Sequence, residues 1–278
     1  HPDEVYHLAG QSHVALSFEI PELTTHEIAN ATLKLLEICR DQEKPPKIYL
    51  AGSSEIFGHA KESIQTEETP FNPTSPYGVC KAFCVQMGKV YRSGYGMHVS
   101  NGILYNHESP RRGENFVTQK IIRGAASIAQ GKTEFLELGN LDIERDWGYA
   151  PDYVLGMWMM LQKEKGADYI LATGKTNKLS DFLQLSFEYF GLDHQKHIRI
   201  NQKFLRPIEP VHLCGDSSKA QNVLGWKPSI IFEQEKIELM KSKTELAQTL
   251  KTEKLLPTDW IYDNIYHLSE DQYDEYRD

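Results

Sequence analysis

Lys47-Ile48-Tyr49-Leu50-Ala51-Gly52 is the stretch on which the fold turns, a short apolar run that ends on a glycine. Such a run bounded by a turn residue reads as a buried strand, and its flanks decide the kind of sheet. Upstream, Ala29, Leu33, Leu36 and Cys39 recur at the spacing of a helical stripe, and Glu4 to Ala9 reads as another strand. Downstream, a helix runs from about Pro76, a proline at a helix-starting position, through Tyr91. A third strand covers His98 to Tyr105. Strand, helix, strand, helix, strand predicts right-handed crossovers and a parallel sheet. In such sheets ligands sit at the carboxyl ends of the strands, and the distinctive motifs of this chain all follow strand ends.

The second half is less regular. A helix from about Phe116 to Gln130 stops at Gly131, a good C-cap. A short strand (Glu134 to Leu138), a helix started by Pro151, a strand (Asp168 to Ala172), a helix (about Ser180 to Phe190) and a short helix before Gly225-Trp226 follow. The expected fold class is α/β, a Rossmann-type doubly wound parallel sheet with a smaller interleaved α/β lobe. The sheet-forming domain spans 1–105, with segments around 140–175 partly returning to it, the lobe spans 106–245, and 246–278 is an acidic, tyrosine-rich tail.

A net charge of −9 argues against general affinity for nucleic acid or an anionic membrane, so any anion site needs locally gathered Arg and Lys. No apolar run approaches the roughly 20 residues of a membrane span. The opening His1-Pro2-Asp3-Glu4 has no signal pattern and runs straight into a strand, so the chain reads as entered in mid-fold. Cys39, Cys80, Cys84 and Cys214 are too scattered for a disulfide framework, which fits a reducing cytoplasm. Cys80 and Cys84 lie one helical turn apart, but without nearby His or carboxylate ligands they read as core thiols, and no metal site is expected.

The strongest local signal is Tyr77-Gly78-Val79-Cys80-Lys81 at a helix start. Tyr and Lys four apart share a helical face, and a fixed ammonium favours phenolate, which tunes the tyrosine as a base for a sugar hydroxyl. Ser53-Ser54-Glu55 ends the preceding strand, separated from Tyr77 by a loop holding Pro70, Pro73 and Pro76. On spacing alone Glu55 has two readings, a carboxylate for proton abstraction and loss of water, or a helix-capping or surface carboxylate.

Ser75-Pro76-Tyr77-Gly78-Val79-Cys80-Lys81 resembles the extended branch of the short-chain dehydrogenases, which act on nucleotide sugars. The stretch from Asn101 to Thr118, together with Leu138-Gly139-Asn140, Arg145-Asp146-Trp147-Gly148, Arg206-Pro207 with Glu209, and Leu224-Gly225-Trp226-Lys227-Pro228, resembles the GDP-mannose 4,6-dehydratase family. The resemblance spans about residues 4 to 240 and settles Glu55 as functional. It implies Ser53, Glu55, Tyr77 and Lys81 as catalytic, with Ser53 standing where the family usually has threonine. It implies cofactor contacts at Leu8, Ala9, Gln11, Ser12, Tyr77, Lys81, Asn106, His107 and Arg112, with NADP as the cofactor. Contacts to the substrate, GDP-mannose, fall to Ser54, Asn106, Val117, Lys120, Arg145, Arg206 and Glu209. In the family the Arg111-Arg112 loop reaches a neighbouring subunit, which implies a homo-oligomer, a tetramer with a dimer as the alternative.

Taken singly, these residues also have plainer readings. Arg145-Asp146 reads as a buried ion pair, Asn106 as a loop cap, His13 or His107 as a core histidine, and Arg111-Arg112 as a solvated basic turn. Two rival functions stand beside the dehydratase, a GDP- or UDP-sugar reductase or epimerase in which Glu55 is incidental, and a non-catalytic nucleotide-sugar-binding subunit.

Overall fold

A computed structural model describes residues 1–210 and 212–229, and the expected tail over 246–278 lies outside them. Four strands, β1 (Glu4–His7), β2 (Lys47–Ala51), β3 (Val99–Leu104) and β7 (Asp168–Leu171), form an all-parallel sheet in the order β1-β2-β3-β7. Every residue of β3 and β7 is buried, as a parallel sheet covered on both faces requires.

Strand alternation assigns the two covers. Ile48, Leu50 and Val99 pack against Leu36 of α3 (Ala31–Arg40) and Tyr91 of α4 (Pro76–Gly94). The alternate residues Tyr49 and Leu104 pack against Tyr153, Met157 and Met160 of α6 (Ala150–Leu161) and against Trp226. The sheet is therefore wound on both faces, as expected. Gly102 makes this possible on the α6 side, because a Cβ there would lie 2.5 Å from the Tyr49 hydroxyl.

A second apolar core gathers Ile121 and Ala125 of α5 (Val117–Ala129), Leu136 and Leu138 of β5 (Leu136–Leu138), Trp147 of β6 (Glu144–Tyr149), and Leu183 and Phe187 of α7 (Leu179–Tyr189). Strand β6 pairs with β4 (Asn106–Glu108) and with β8 (Thr176–Lys178), and β5 pairs with β9 (Ile198–Ile200). A four-residue helix, α8 (His194–His197), precedes β9.

Several boundaries differ from expectation. Strand β1 ends at His7, two residues before Ala9, where the chain turns into a loop with Gly10 at φ 128°. The stripe from Ala29 to Cys39 is part of a longer helical run: α1 (Leu16–Glu19), α2 (Pro21–Thr25), a wide π turn (His26–Asn30) and α3. Strand β6 gave no apolar signal, because its buried positions include Arg145 and Asp146. Gly131 and Gly225 stop their helices at φ 68° and 75°, as glycine after a helix does. Cys80 and Cys84 are buried thiols facing Thr25 and Thr32, and the described residues contain no cluster of metal-ligating side chains.

Candidate active site

The site begins where β2 runs out. Ser53 has an extended backbone, and its Oγ accepts a hydrogen bond from the Glu55 amide at 3.3 Å, capping a single turn of 3₁₀ helix, Ser54–Ile56. Ser53, Ser54 and Glu55 are all buried. The reading of Glu55 as a surface carboxylate is thereby ruled out. The capping role belongs to Ser53.

Helix α4 starts against this turn. Ser75 Oγ caps it by accepting from the Gly78 amide at 3.0 Å, and Pro76 occupies the first turn. The Tyr77 amide donates to Ser17 Oγ at 3.2 Å. Gly78 lies so close to the 3₁₀ turn that a Cβ would sit 2.7 Å from the Glu55 carbonyl oxygen. The first turn of α4 and the Glu55 turn are thus in direct backbone contact, which places Tyr77 beside the Ser53–Glu55 segment. One turn along α4, Lys81 Nζ donates to the Ala51 carbonyl at 2.8 Å and sits 5.7 Å from the Tyr77 ring centroid. The ammonium is held by backbone at the end of β2, on the same helical face as the phenol. His7 of β1 completes this corner. Its Nε2 lies 3.1 Å from Thr32 Oγ1, and burial, with Lys81 second, lowers its pKa.

Glu55 Oε1 pairs with Arg206 Nη1 at 3.3 Å, whereas Oε2 is buried and has no hydrogen-bond partner. Arg206 also lies 3.5 Å from Glu209 Oε1, and that oxygen receives Arg145 Nη2 as well. Arg145 is 4% exposed and donates in addition to the Glu144 carbonyl at 2.8 Å. Burial pushes its pKa down, opposed by Glu209 and Glu55. Three distant segments therefore meet in one chain of charges, Glu55–Arg206–Glu209–Arg145. Arg145 does not pair with its neighbour Asp146, because successive strand residues point to opposite faces. Asp146 instead accepts from the Thr173 amide and hydroxyl and from the Gly174 amide, fixing β6 to the loop after β7.

The other expected residues fall in two groups. Leu8, Ala9 and Ser12 lie exposed in the loop after β1, and Gln11 Nε2 donates to Thr24 Oγ1 at 3.2 Å. Asn106, His107, Val117 and Lys120 are half-buried around β4 and the start of α5. Lys120 Nζ sits 3.5 Å from the Phe204 ring centroid, and burial lowers its pKa. His107 behaves as a core histidine. It stacks on Tyr153 at 4.8 Å, lies 2.9 Å through Nδ1 from the Tyr105 carbonyl, and burial pushes its pKa down. Arg112 is no solvated turn residue within this chain. It pairs with Glu108 at 3.4 Å, and its guanidinium lies 3.7 Å over the Phe116 ring.

His13, the last residue of the loop that resembles a cofactor-contacting loop, and His59, which sequence reading left out of the site, also belong beside it. His13 accepts from the Leu16 amide at 3.1 Å, and its ring lies 6.0 Å from that of Phe116. Burial first and Arg206 second lower its pKa. His59 Nε2 lies 3.0 Å from the Glu209 carbonyl and ties the loop after Glu55 to the segment carrying Arg206 and Glu209. Only its place four residues after Glu55 could have pointed to it.

A hydroxyl, a Tyr–Lys pair and a carboxylate meet at the carboxyl edge of a doubly wound parallel sheet, the arrangement of a short-chain-dehydrogenase type of fold. Solved structures agree on the fold. RMD from Pseudomonas aeruginosa, complexed with NADPH, superposes with a TM-score of 0.73 at 25% identity over 82% of this chain and 77% of its own. Thermus thermophilus UDP-glucose 4-epimerase in complex with NAD gives 0.73 at 25% identity over 87% and 77%. Residues 1–239 match the family described as GDP-mannose 4,6 dehydratase. GDP-mannose 4,6 dehydratase 1 of Arabidopsis thaliana is 48% identical over 92% of this chain and 71% of its own length. GDP-mannose 4,6-dehydratase of Vibrio cholerae is 43% identical over 89% and 74%. The chain belongs to the GDP-mannose 4,6-dehydratase family.

Proposed function

We propose that the protein is a GDP-mannose 4,6-dehydratase, turning GDP-D-mannose into GDP-4-keto-6-deoxy-D-mannose with loss of water. The observation that carries this reading is the buried Glu55 carboxylate with one oxygen unpartnered, set against the Tyr77–Lys81 helix. An orphaned buried polar atom costs about 1–3 kcal/mol, and a site that keeps one has a use for it.

NADP fits the carboxyl edge of the sheet. Leu8, an apolar side chain 56% exposed at a strand end, the glycine-containing loop after it and Lys81 are suited to hold it, with Ala9, Gln11, Ser12, Tyr77, Asn106 and His107 around them and Arg112 reaching the cofactor of a neighbouring subunit. When bound, the cofactor oxidises the sugar at C4 and returns the same reducing equivalent at C6.

The chain's own groups move the protons. Tyr77 takes the proton of the C4 hydroxyl, assisted by the Lys81 ammonium. Ser53 holds the C4 oxygen. Glu55 removes the C5 proton, made acidic by the C4 ketone, and gives it to the departing C6 hydroxyl; C5 regains a proton from solvent as C6 is reduced, and the proton taken by Tyr77 returns to solvent, so that one water is lost overall. Arg206 takes the diphosphate, since a guanidinium fork donates bidentately to such oxygens, and Arg145, held by Glu209 and the Glu144 carbonyl, lends its charge beside it. Ser54, Asn106, Val117, Lys120 and Glu209 line the rest of the nucleotide-sugar site.

In this reading residues 1–105 with parts of 140–175 hold the cofactor, and 106–245 hold mainly the substrate. The enzyme is an NADP-dependent carbon–oxygen lyase of deoxysugar biosynthesis, acting in the cytoplasm as a homotetramer. No described helix is long and apolar enough to cross a membrane. The test is incubation with GDP-mannose and catalytic NADP+, followed by the mass of the sugar nucleotide. Loss of one water is expected, and a product of unchanged mass or one gaining two hydrogens would refute the dehydratase.

A further inference from the structure

We propose that Arg206 is a positioning residue that caps Glu55 while the nucleotide site is empty and releases it when a nucleoside diphosphate arrives. The inference rests on the function proposed above and adds a coupling between two parts of the site.

The geometry is that of a shared cation. One guanidinium nitrogen, Arg206 Nη1, lies 3.3 Å from Glu55 Oε1 and 3.5 Å from Glu209 Oε1. Glu209 is not free to follow Arg206, because Arg145 holds the same oxygen and His59 holds the Glu209 carbonyl. The two arginines differ in freedom. The Arg145 side chain is 5% exposed and bonded to the Glu144 carbonyl, whereas that of Arg206 is 26% exposed and has no backbone acceptor among the described residues. Arg206 is thus the member of the chain that can change partner.

A diphosphate is the partner it would change to. It offers more charge than one carboxylate and accepts the guanidinium fork bidentately, whereas Glu55 takes a single long contact. The exchange has a chemical consequence at Glu55. A guanidinium on Oε1 occupies the oxygen that would receive the C5 proton, and its departure opens Oε1 beside the already unpartnered Oε2. The diphosphate end of the substrate would then arm the base that acts on the sugar end.

Carboxyl labelling tests this apart from turnover. The holoenzyme is treated with a water-soluble carbodiimide and an amine, and modification of Glu55 is followed by peptide mass spectrometry without nucleotide, with saturating GDP, and with saturating GMP. GDP fills the nucleotide site and leaves the sugar position open, so it should speed Glu55 labelling roughly tenfold, about the weight of one charge-assisted hydrogen bond. GMP, which lacks the second phosphate, should give a clearly smaller rise. Arg206→Met should label fast without nucleotide, and Arg206→Lys should restore part of the slow labelling and of the GDP response. A purely structural Arg206 would not make Glu55 labelling depend on GDP. Calorimetry on the same samples separates the possible failures. GDP that binds but leaves Glu55 labelling unchanged or slower, or GMP that acts as strongly as GDP, overturns the cap alone. GDP that does not bind overturns the nucleotide-site reading and the cap with it.

Discussion

Gly78→Ala is the sharpest probe of the site, because the expected damage follows from one distance. The added methyl would sit 2.7 Å from the Glu55 carbonyl oxygen, with the Pro73 Cβ and Ser75 Oγ both at 3.2 Å. Ordinary contact begins near 3.4 Å, so the two backbones must part by 3.4 − 2.7 = 0.7 Å. None of these neighbours is a flexible side-chain end that can swing aside. Overpacking of this kind costs about 1–3 kcal/mol, offset by up to about 1 kcal/mol from the higher helix propensity of alanine. With the full offset the net loss of stability is therefore small, about 0–2 kcal/mol. The catalytic cost is larger. The shift separates Tyr77 from the Ser53–Glu55 turn, and a misplacement approaching 1 Å costs on the order of 10²-fold in rate. Thermal unfolding and steady-state kinetics with GDP-mannose should show a modest fall in Tm and a fall in kcat of roughly 10- to 100-fold. Wild-type kcat with an unchanged Tm would refute the claim that backbone contact between α4 and the Glu55 turn sets the geometry of the site.

Glu55→Gln should abolish loss of water and deuterium uptake at C5 in D2O while sparing oxidation at C4, whereas Tyr77→Phe loses both. Each defect is on the order of 10²- to 10⁴-fold, and equal loss of every step in the Glu55 variant would sink the division of labour. Asp146→Asn leaves backbone donors at Thr173 and Gly174 facing an amide, and should cost about 1–3 kcal/mol in denaturant unfolding while raising KM through the displaced Arg145. An unchanged midpoint and KM would show that β6 needs no such anchor. Burial raises the pKa of Glu108 above its ordinary 4.5 despite Arg112 and Thr118, so the folded state holds this proton more tightly than the unfolded one. Its contribution is then fully present below about 4.5 and is lost as pH rises through the folded value. Glu108→Gln should flatten the fall of Tm over that interval, and a slope equal to wild type would place the titration elsewhere.

What the sequence disclosed follows from what leaves a local pattern. The doubly wound sheet was legible because β2 and β3 are apolar runs and α4 carries its own start signals, Ser75 and Pro76. Tyr77 and Lys81 were legible because a helix brings i and i+4 together without help from the rest of the fold. Strand β6 was hidden because the lobe buries Arg145 and Asp146 in it and satisfies them from β7 onwards and from Glu209, partners no window around residue 145 contains. The same reason hid the contact between Glu55 and Arg206, 151 residues apart. Each residue could be suspected of function from its motif, yet nothing in either motif says that they touch. Buried charge is expensive unless paired, so once Arg145 is enclosed the chain must bring it an anion, and Glu209 is that anion. Arg206, three residues earlier on the same segment, then arrives beside Glu55. The burial of one arginine in the lobe thus fixes where the other meets the carboxylate at the end of β2.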